Sequence, residues 1–239
     1  MDIYRLQNVK EAVGRDPYVG RGIITGMTPD GAMLAAYFIM GRSANSRNRV
    51  FEMREDGLYT KAFDESKVAD PSLIIYRAAG VYGAHTVVTN GDQTDTVLEA
   101  LAKGGTFEGA LETRAFEPDA PNFTPRISAI LTEKDGTFTY KMSILKSVDA
   151  EGTDCVRYCF SYPAKPGTAH FIHTYVGDGN PLPSFQGEPE RIAVPEDIEA
   201  FTEELWNALD DDNKISLYVL RKDAKGEKTW ILNKNGEEK

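Results

Sequence analysis

The chain has 239 residues, 41% hydrophobic and 27% charged, with a formal net charge of -10 at pH 7. This is the balance of a globular protein able to bury a core. The acidic excess argues against non-specific binding to nucleic acid or to an anionic membrane, both of which need a basic face; a small anionic ligand is not excluded, because a few arginines can converge in one pocket.

Residues 1–16 read as a polar lead-in with room for a short helix, and charge at Asp2, Arg5, Lys10 and Glu11 leaves no signal-peptide pattern. Residues 18–27 and 32–40 read as strands joined by the turn Pro29-Asp30-Gly31, a hairpin. The longest clean apolar run, Met33 to Met40, is far short of the roughly 20 residues of a membrane helix. Two short strands follow at 49–53 and 58–62, residues 73–76 fit strand or helix, and 84–89 reads as a buried strand.

The next segment, Thr89-Asn90-Gly91-Asp92-Gln93-Thr94-Asp95-Thr96, reads as a strand end, a tight turn and a helix start. Thr96-Val97-Leu98-Glu99 fits a capping box, and Val97, Leu98, Leu101 and Ala102 would share the buried face of a helix stopped by Gly104-Gly105. A turn with free N–H groups at a helix start is an anion site in waiting. A second helix is expected over 106–114, then strands at 126–131, 137–144, 155–162 and 170–175. Residues 177–189, rich in Gly and Pro, have the composition of a functional lid or ordered surface loop. Pro195 suits the first position of a helix carrying the stripe Ile198, Phe201, Leu205 and Leu209, and a hairpin at 215–220 and 229–232 closes the chain before a polar tail at 235–239. Many strands interrupted by two helical blocks, with no repeat and no linker, predict one α+β domain.

Two cysteines, Cys155 and Cys159, would lie about 13 Å apart on one strand, too far for a disulfide. With three histidines and no Cys-x-x-Cys, a zinc site is not expected. His170 and His173 would fall on opposite faces of a strand and are not a paired site. These features predict a soluble cytoplasmic protein.

Several blocks stand in the order found in the archaeal-type IMP cyclohydrolase family. They are Tyr18-Val19-Gly20-Arg21; Gly41-Arg42-Ser43 followed by Asn48-Arg49; Asp70-Pro71 leading to Tyr76; Thr89 to Thr96; Phe116-Glu117; and Asn122-x-Thr124-Pro125-Arg126-Ile127. The chain resembles that family over about residues 17–130 and more weakly beyond. The resemblance implies the four-layer αββα sandwich of N-terminal-nucleophile hydrolases. It also implies a reaction, closure of the formamido-imidazole-carboxamide ribonucleotide FAICAR to IMP and water. That reaction asks for no metal or organic cofactor, and family members assemble as oligomers.

Carried onto this sequence, the resemblance makes Tyr76 a proton donor or oxyanion stabiliser and Glu117 the group that orients the carboxamide or accepts its proton. Arg49 and Asn48 join them as catalytic candidates. Arg21, Arg42, Ser43, Asn90, Gly91, Thr94, Thr124 and Arg126 are the substrate-binding candidates, with the arginines as a cradle for phosphate. The sequence departs from the family in its first 17 residues, in 177–189, in its longer C-terminus and in an insertion, Ala44 to Arg47. The insertion leaves open which of Arg47 and Arg49 faces the substrate. Two other readings fit such a chain: an amide hydrolase with an N-terminal nucleophile, although Tyr18-Val19-Gly20 rather than Cys, Ser or Thr opens the first strand, and a non-catalytic purine-nucleotide binder.

Overall fold

The structure, a computed structural model, describes residues 2, 4–68 and 74–236. Asp70, Pro71 and Leu73 of the sequence blocks therefore lie outside the described residues. The strands in chain order are β1 (Arg21–Met27), β2 (Met33–Met40), β3 (Arg49–Arg54), β4 (Gly57–Ala62), β5 (Arg77–Tyr82), β6 (His85–Thr89), β7 (Arg126–Lys134), β8 (Thr137–Ser147), β9 (Cys155–Pro163), β10 (Thr168–His173), β11 (Glu190–Ala193), β12 (Lys214–Asp223) and β13 (Gly226–Asn233). The helices are α1 (Val9–Val13), α2 (Ala44–Arg47), α3 (Gln93–Ala102), α4 (Phe107–Glu112) and α5 (Ile198–Ala208).

The strands form two antiparallel sheets. One runs β11-β10-β1-β2-β12-β13, and the other runs β3 to β9 side by side in chain order. Strand β2 shows how they are covered. Met33, Ala35, Tyr37 and Ile39 join the core shared with the second sheet, while Leu34, Ala36, Phe38 and Met40 pack with α1 and α5. A strand buried on both faces has no polar side to present, so it reads as one unbroken apolar run. On the far side, Val97, Leu98, Phe107, Ala110 and Leu111 of α3 and α4 pack over Val87, Ile130 and Leu145 of the second sheet. The layers are thus helix, sheet, sheet, helix, the α+β sandwich expected. Among the described residues no helix is long and apolar enough to cross a membrane.

Several local expectations are corrected. Helix α3 begins at Gln93, so Thr96 lies inside it; Asp92 occupies the cap position without a capping side-chain bond. The helix starts early because Gln93 and Thr94 are needed inside, where both are fully buried, and Ala102 is left exposed. Tertiary contacts have overridden a local capping signal. Strand β5 escapes a sequence reading because Ala78, Ala79 and Gly80 carry little strand propensity; it is held by ladders to β4 and β6. Strand β11 is short and follows the irregular stretch, with its ladder to β10. Pro195 stands two residues before Asp197, the residue whose side chain caps α5 through the Ala200 N–H. Cys155 and Cys159 lie on β9 with free thiols.

Candidate active site

At one end of the sandwich a cleft of about 360 Å³ opens among the start of β1, helix α2, the loop after α4 and the segment after β10. That volume lies in the range of small-molecule sites. Arg21 heads β1 after Gly20, whose φ of +78° favours glycine and where a Cβ would sit 2.2 Å from Thr174 Oγ1. The Arg21 backbone N–H donates to Thr174 Oγ1 at 3.1 Å, and its side-chain Nη2 donates to both oxygens of Glu117 at 2.9 Å.

Glu117 is 4% exposed and stands in the loop before β7, where its N–H donates to the Thr124 carbonyl at 2.9 Å. Burial pushes the Glu117 carboxyl above the ordinary carboxylate range, against the opposing pull of Arg21 and Arg126. On Arg21, burial works against the charge, and Glu117 together with Tyr76, Tyr37 and Tyr175 more than offsets it, so the guanidinium is held protonated. Thr124 is fixed by the same loop: its N–H donates to Asp119 Oδ1 at 2.7 Å, and its hydroxyl bonds Asp119 and the Tyr175 hydroxyl.

Arg49, the first residue of β3, is 2% exposed. Its Nε donates to the Ser46 carbonyl at 2.8 Å, while its Nη1 is buried with no hydrogen-bond partner. Among the described residues it forms no ion pair, and burial pulls its pKa down. The groups acting on it next are Tyr76, Arg21, Tyr37 and Tyr18, three phenols and another cation. A buried guanidinium without a counter-charge is costly unless something anionic arrives. The Tyr76 and Tyr37 hydroxyls are 2.7 Å apart. Burial raises Tyr37 well above the normal phenol value, so this partner stays protonated.

Arg42 stands at the rim. It bonds Asp178 and donates to the Gly179 carbonyl at 3.0 Å, and its guanidinium lies 4.9 Å from the centre of the Tyr18 ring. The 177–189 segment is thereby strapped to the cleft; its Leu182 lines the wall and donates its N–H to Asn122 Oδ1 at 3.0 Å. Arg42→Ala is expected to raise KM about tenfold with little change in kcat, the loss of roughly one charge-assisted contact; steady-state kinetics on the two proteins measure it. Ser43 lines the same cleft and caps α2 through the Ser46 N–H at 3.1 Å.

The structure therefore gathers Arg21, Arg42, Ser43, Arg49, Glu117 and Thr124 around one cavity; Tyr76 does not line it but is buried, bonded to Tyr37 and close enough to act on Arg49. Other candidates lie elsewhere. Asn48 spends both ends of its amide on the Asp64 backbone, at 2.8 Å each, and holds a loop instead of facing the cleft. Arg47 turns away to the Gly41 carbonyl and to Asn213. Asn90, Gly91 and Thr94 do not line the cavity, and their own N–H groups are bonded within the protein: Asn90 to the Ile127 carbonyl, Gly91 to Thr89 Oγ1 and Thr94 to the Gly91 carbonyl. Asp92 already brings negative charge to that helix start, so the turn is no anion cradle. Arg126 also stays out of the lining, its Nη1 donating to Gln93 Oε1 at 2.7 Å and pairing with Asp92 at 2.7 Å.

Sequence reasoning passed over Tyr37, Tyr175, Asp119 and Asn45. Tyr175 falls in the weaker part of the resemblance and Asp119 between two quoted blocks, whereas Tyr37 is hidden in an apolar run. Asn45 belongs to the insertion, and its buried Oδ1 has no partner. His170 bonds the Tyr140 hydroxyl at 2.6 Å and stacks on Tyr162, while His173 lies against Glu190 at 3.1 Å; neither lines the cleft. Among the described residues no group of three or more His, Cys, Asp or Glu side chains is placed to hold a metal.

A layered α+β protein whose cleft sets a buried arginine, without an ion pair among the described residues, beside a carboxyl of raised pKa carries the converging, perturbed groups typical of enzyme sites. The chain belongs to the IMP cyclohydrolase-like protein family, whose model matches residues 18–227. It is 34% identical over 117 residues to the IMP cyclohydrolase of Methanopyrus kandleri, covering 47% of this chain and 58% of that protein. Over 162 residues it is 25% identical to the Methanococcus aeolicus IMP cyclohydrolase, covering 66% and 74%, and over 168 residues 27% identical to that of Methanococcus maripaludis strain S2, covering 67% and 82%. The chain thus spans little more than half of the Methanopyrus relative and about three quarters or more of the other two.

Proposed function

We propose that this protein closes FAICAR to IMP. The observation that carries the reading is the unpaired, buried Arg49 guanidinium facing the cleft that also presents Glu117. The carboxamide nitrogen adds to the formyl carbon, and charge builds on the formyl oxygen. One hydrogen from the carboxamide nitrogen and one from the formamido nitrogen leave with that oxygen as water, and a ring C=N bond forms.

An amide nitrogen is a weak nucleophile, so holding the two groups in a reactive conformer is the first task, one for the cleft walls. Arg49 and the Tyr76 hydroxyl stabilise the developing oxyanion from a site largely closed to water. With Tyr37 as the donor of the bond between the two hydroxyls, the Tyr76 proton is free to turn outward. Glu117 accepts the nitrogen proton; a carboxyl raised toward neutrality is a better base than an ordinary one. Arg42 and Arg21 bring cations for the phosphate and for Glu117. The purine ribonucleotide is the partner this implies, and the two free thiols suit a reducing cytoplasm.

Purified protein incubated with FAICAR should form IMP, followed by chromatography, and Tyr76→Phe should slow it about a hundredfold. No IMP from folded protein would refute the enzyme; binding of IMP in calorimetry would then leave a nucleotide-binding protein.

A further inference from the structure

The turn that opens α3 has a task other than ligand binding. Asn90 is fully buried, and its side chain grips the chain on both sides of Arg126: Nδ2 donates to the Pro125 carbonyl, and Oδ1 accepts from the Ile127 N–H, each at 2.9 Å. Gln93, also fully buried, donates to Asn90 Oδ1 at 2.9 Å and accepts from Arg126 Nη1. Asp92 pairs with the same Nη1 and with Arg114. Gly91 leaves the space: a Cβ there would stand 2.4 Å from Arg126 Nη1. Four consecutive residues thus fix the backbone, the head group and the charge balance of one arginine.

We infer that the Asn90-Gly91-Asp92-Gln93 turn is a positioning device that holds Arg126 as a fixed positive charge behind Glu117, with Asp92 trimming its strength. Arg126 follows Thr124 by two residues, and the Thr124 carbonyl accepts the Glu117 N–H at 2.9 Å, so the clamped arginine sits on the same loop junction as the carboxyl. The charged groups acting most on that carboxyl are Arg21 from β1, Arg126 from β7, Asp119 from its own loop and Arg49 from β3, and of the three arginines only Arg126 does not line the cleft. Arg126 and the turn are therefore positioning residues. Their consequence for turnover rests on the role proposed for Glu117; their effect on the carboxyl does not.

The test reads that carboxyl directly, by NMR titration of the Glu117 side-chain carboxyl carbon in the free protein, assigned with Glu117→Gln. Arg126→Met should move its titration up by about one unit, and Asp92→Asn, which strips the counter-charge from Arg126, should move it down by about half a unit. Arg126→Lys should restore most of the wild-type value. Asp92 is half exposed, so that variant tests the idea even if Arg126→Met does not fold. Opposite shifts support the device, whether or not IMP is formed. Unmoved titrations, or Asp92→Asn moving the titration upward, overturn it. The acid limb of kcat/KM should follow the same order; if the carboxyl titrations shift as expected and the limb does not, the fault lies with the role given to Glu117.

Discussion

Arg49→Met is expected to lower kcat/KM for IMP formation by about a thousandfold and to leave the protein folded, at least as stable as the wild type. The two halves come from one fact. Arg49 is almost wholly buried, forms no ion pair and leaves Nη1 without a partner. In the free protein that charge is a net cost, because burial is the largest influence on it and no carboxylate among the described residues forms an ion pair with it. Methionine is apolar, unbranched and able to fill the space, so it removes the cost. In the transition state the same guanidinium is the preformed partner of new negative charge, and removing such a donor costs about 10²–10³ in rate, more when a full charge goes with it. A thermal melt and steady-state kinetics on one preparation decide the matter. Lost activity with a lowered melting temperature would mean that Arg49 holds the fold together, and that the site has been misread.

Glu117→Gln is expected to lower kcat by about 10²–10⁴ and to abolish the acid limb of the pH–rate profile. In the wild type that limb should lie above 4.5, the ordinary value for a glutamate, because burial raises this carboxyl. The sign for stability follows from linkage. A carboxyl whose pKa is higher in the folded state favours folding while it is protonated. That contribution is complete below its unfolded pKa and is lost as pH rises through the folded one. Wild-type stability should therefore fall over that window relative to Glu117→Gln, whose uncharged amide stands in for the protonated carboxyl at every pH. Urea unfolding across pH 4 to 8 measures the divergence; parallel stability curves would show that Glu117 does not titrate in this range.

The layers of this fold are legible in the chain because burial leaves a periodic mark. Alternate residues of β2 and the stripe Ile198, Phe201, Leu205 on α5 are forced by what covers them. The cleft is legible where residues of the quoted sequence blocks line it, as at Arg42 and Glu117. Asn48 and Asn90 carry the residue type expected of a binding group, yet each satisfies its amide on neighbouring backbone, at Asp64 and at Pro125 and Ile127. Nothing local distinguishes an amide that grips the chain from one that grips a ligand. Tyr37 errs the other way: as one apolar residue among eight it gives no sign that its hydroxyl meets Tyr76. Strand β5 is invisible for a third reason: Ala78, Ala79 and Gly80 carry little strand propensity, and only the ladders to β4 and β6 hold the segment extended.

The short helix α2 bears on how members of this family should be compared. Between Gly41 and β3 the chain length is free to vary, because extra residues are wound into a self-capped turn whose Arg47 points outward to Gly41 and Asn213. Arg49 is placed by something else, its ladder position opposite Ala62 at the head of β3. Insertions or deletions in this stretch therefore reshape the cleft wall where Ser43, Asn45 and Ser46 stand, without shifting the strand that carries Arg49. In any pairing of sequences, the arginine to match is the one that begins the strand, wherever the gaps must fall, and not the one at a fixed count from Gly41-Arg42-Ser43.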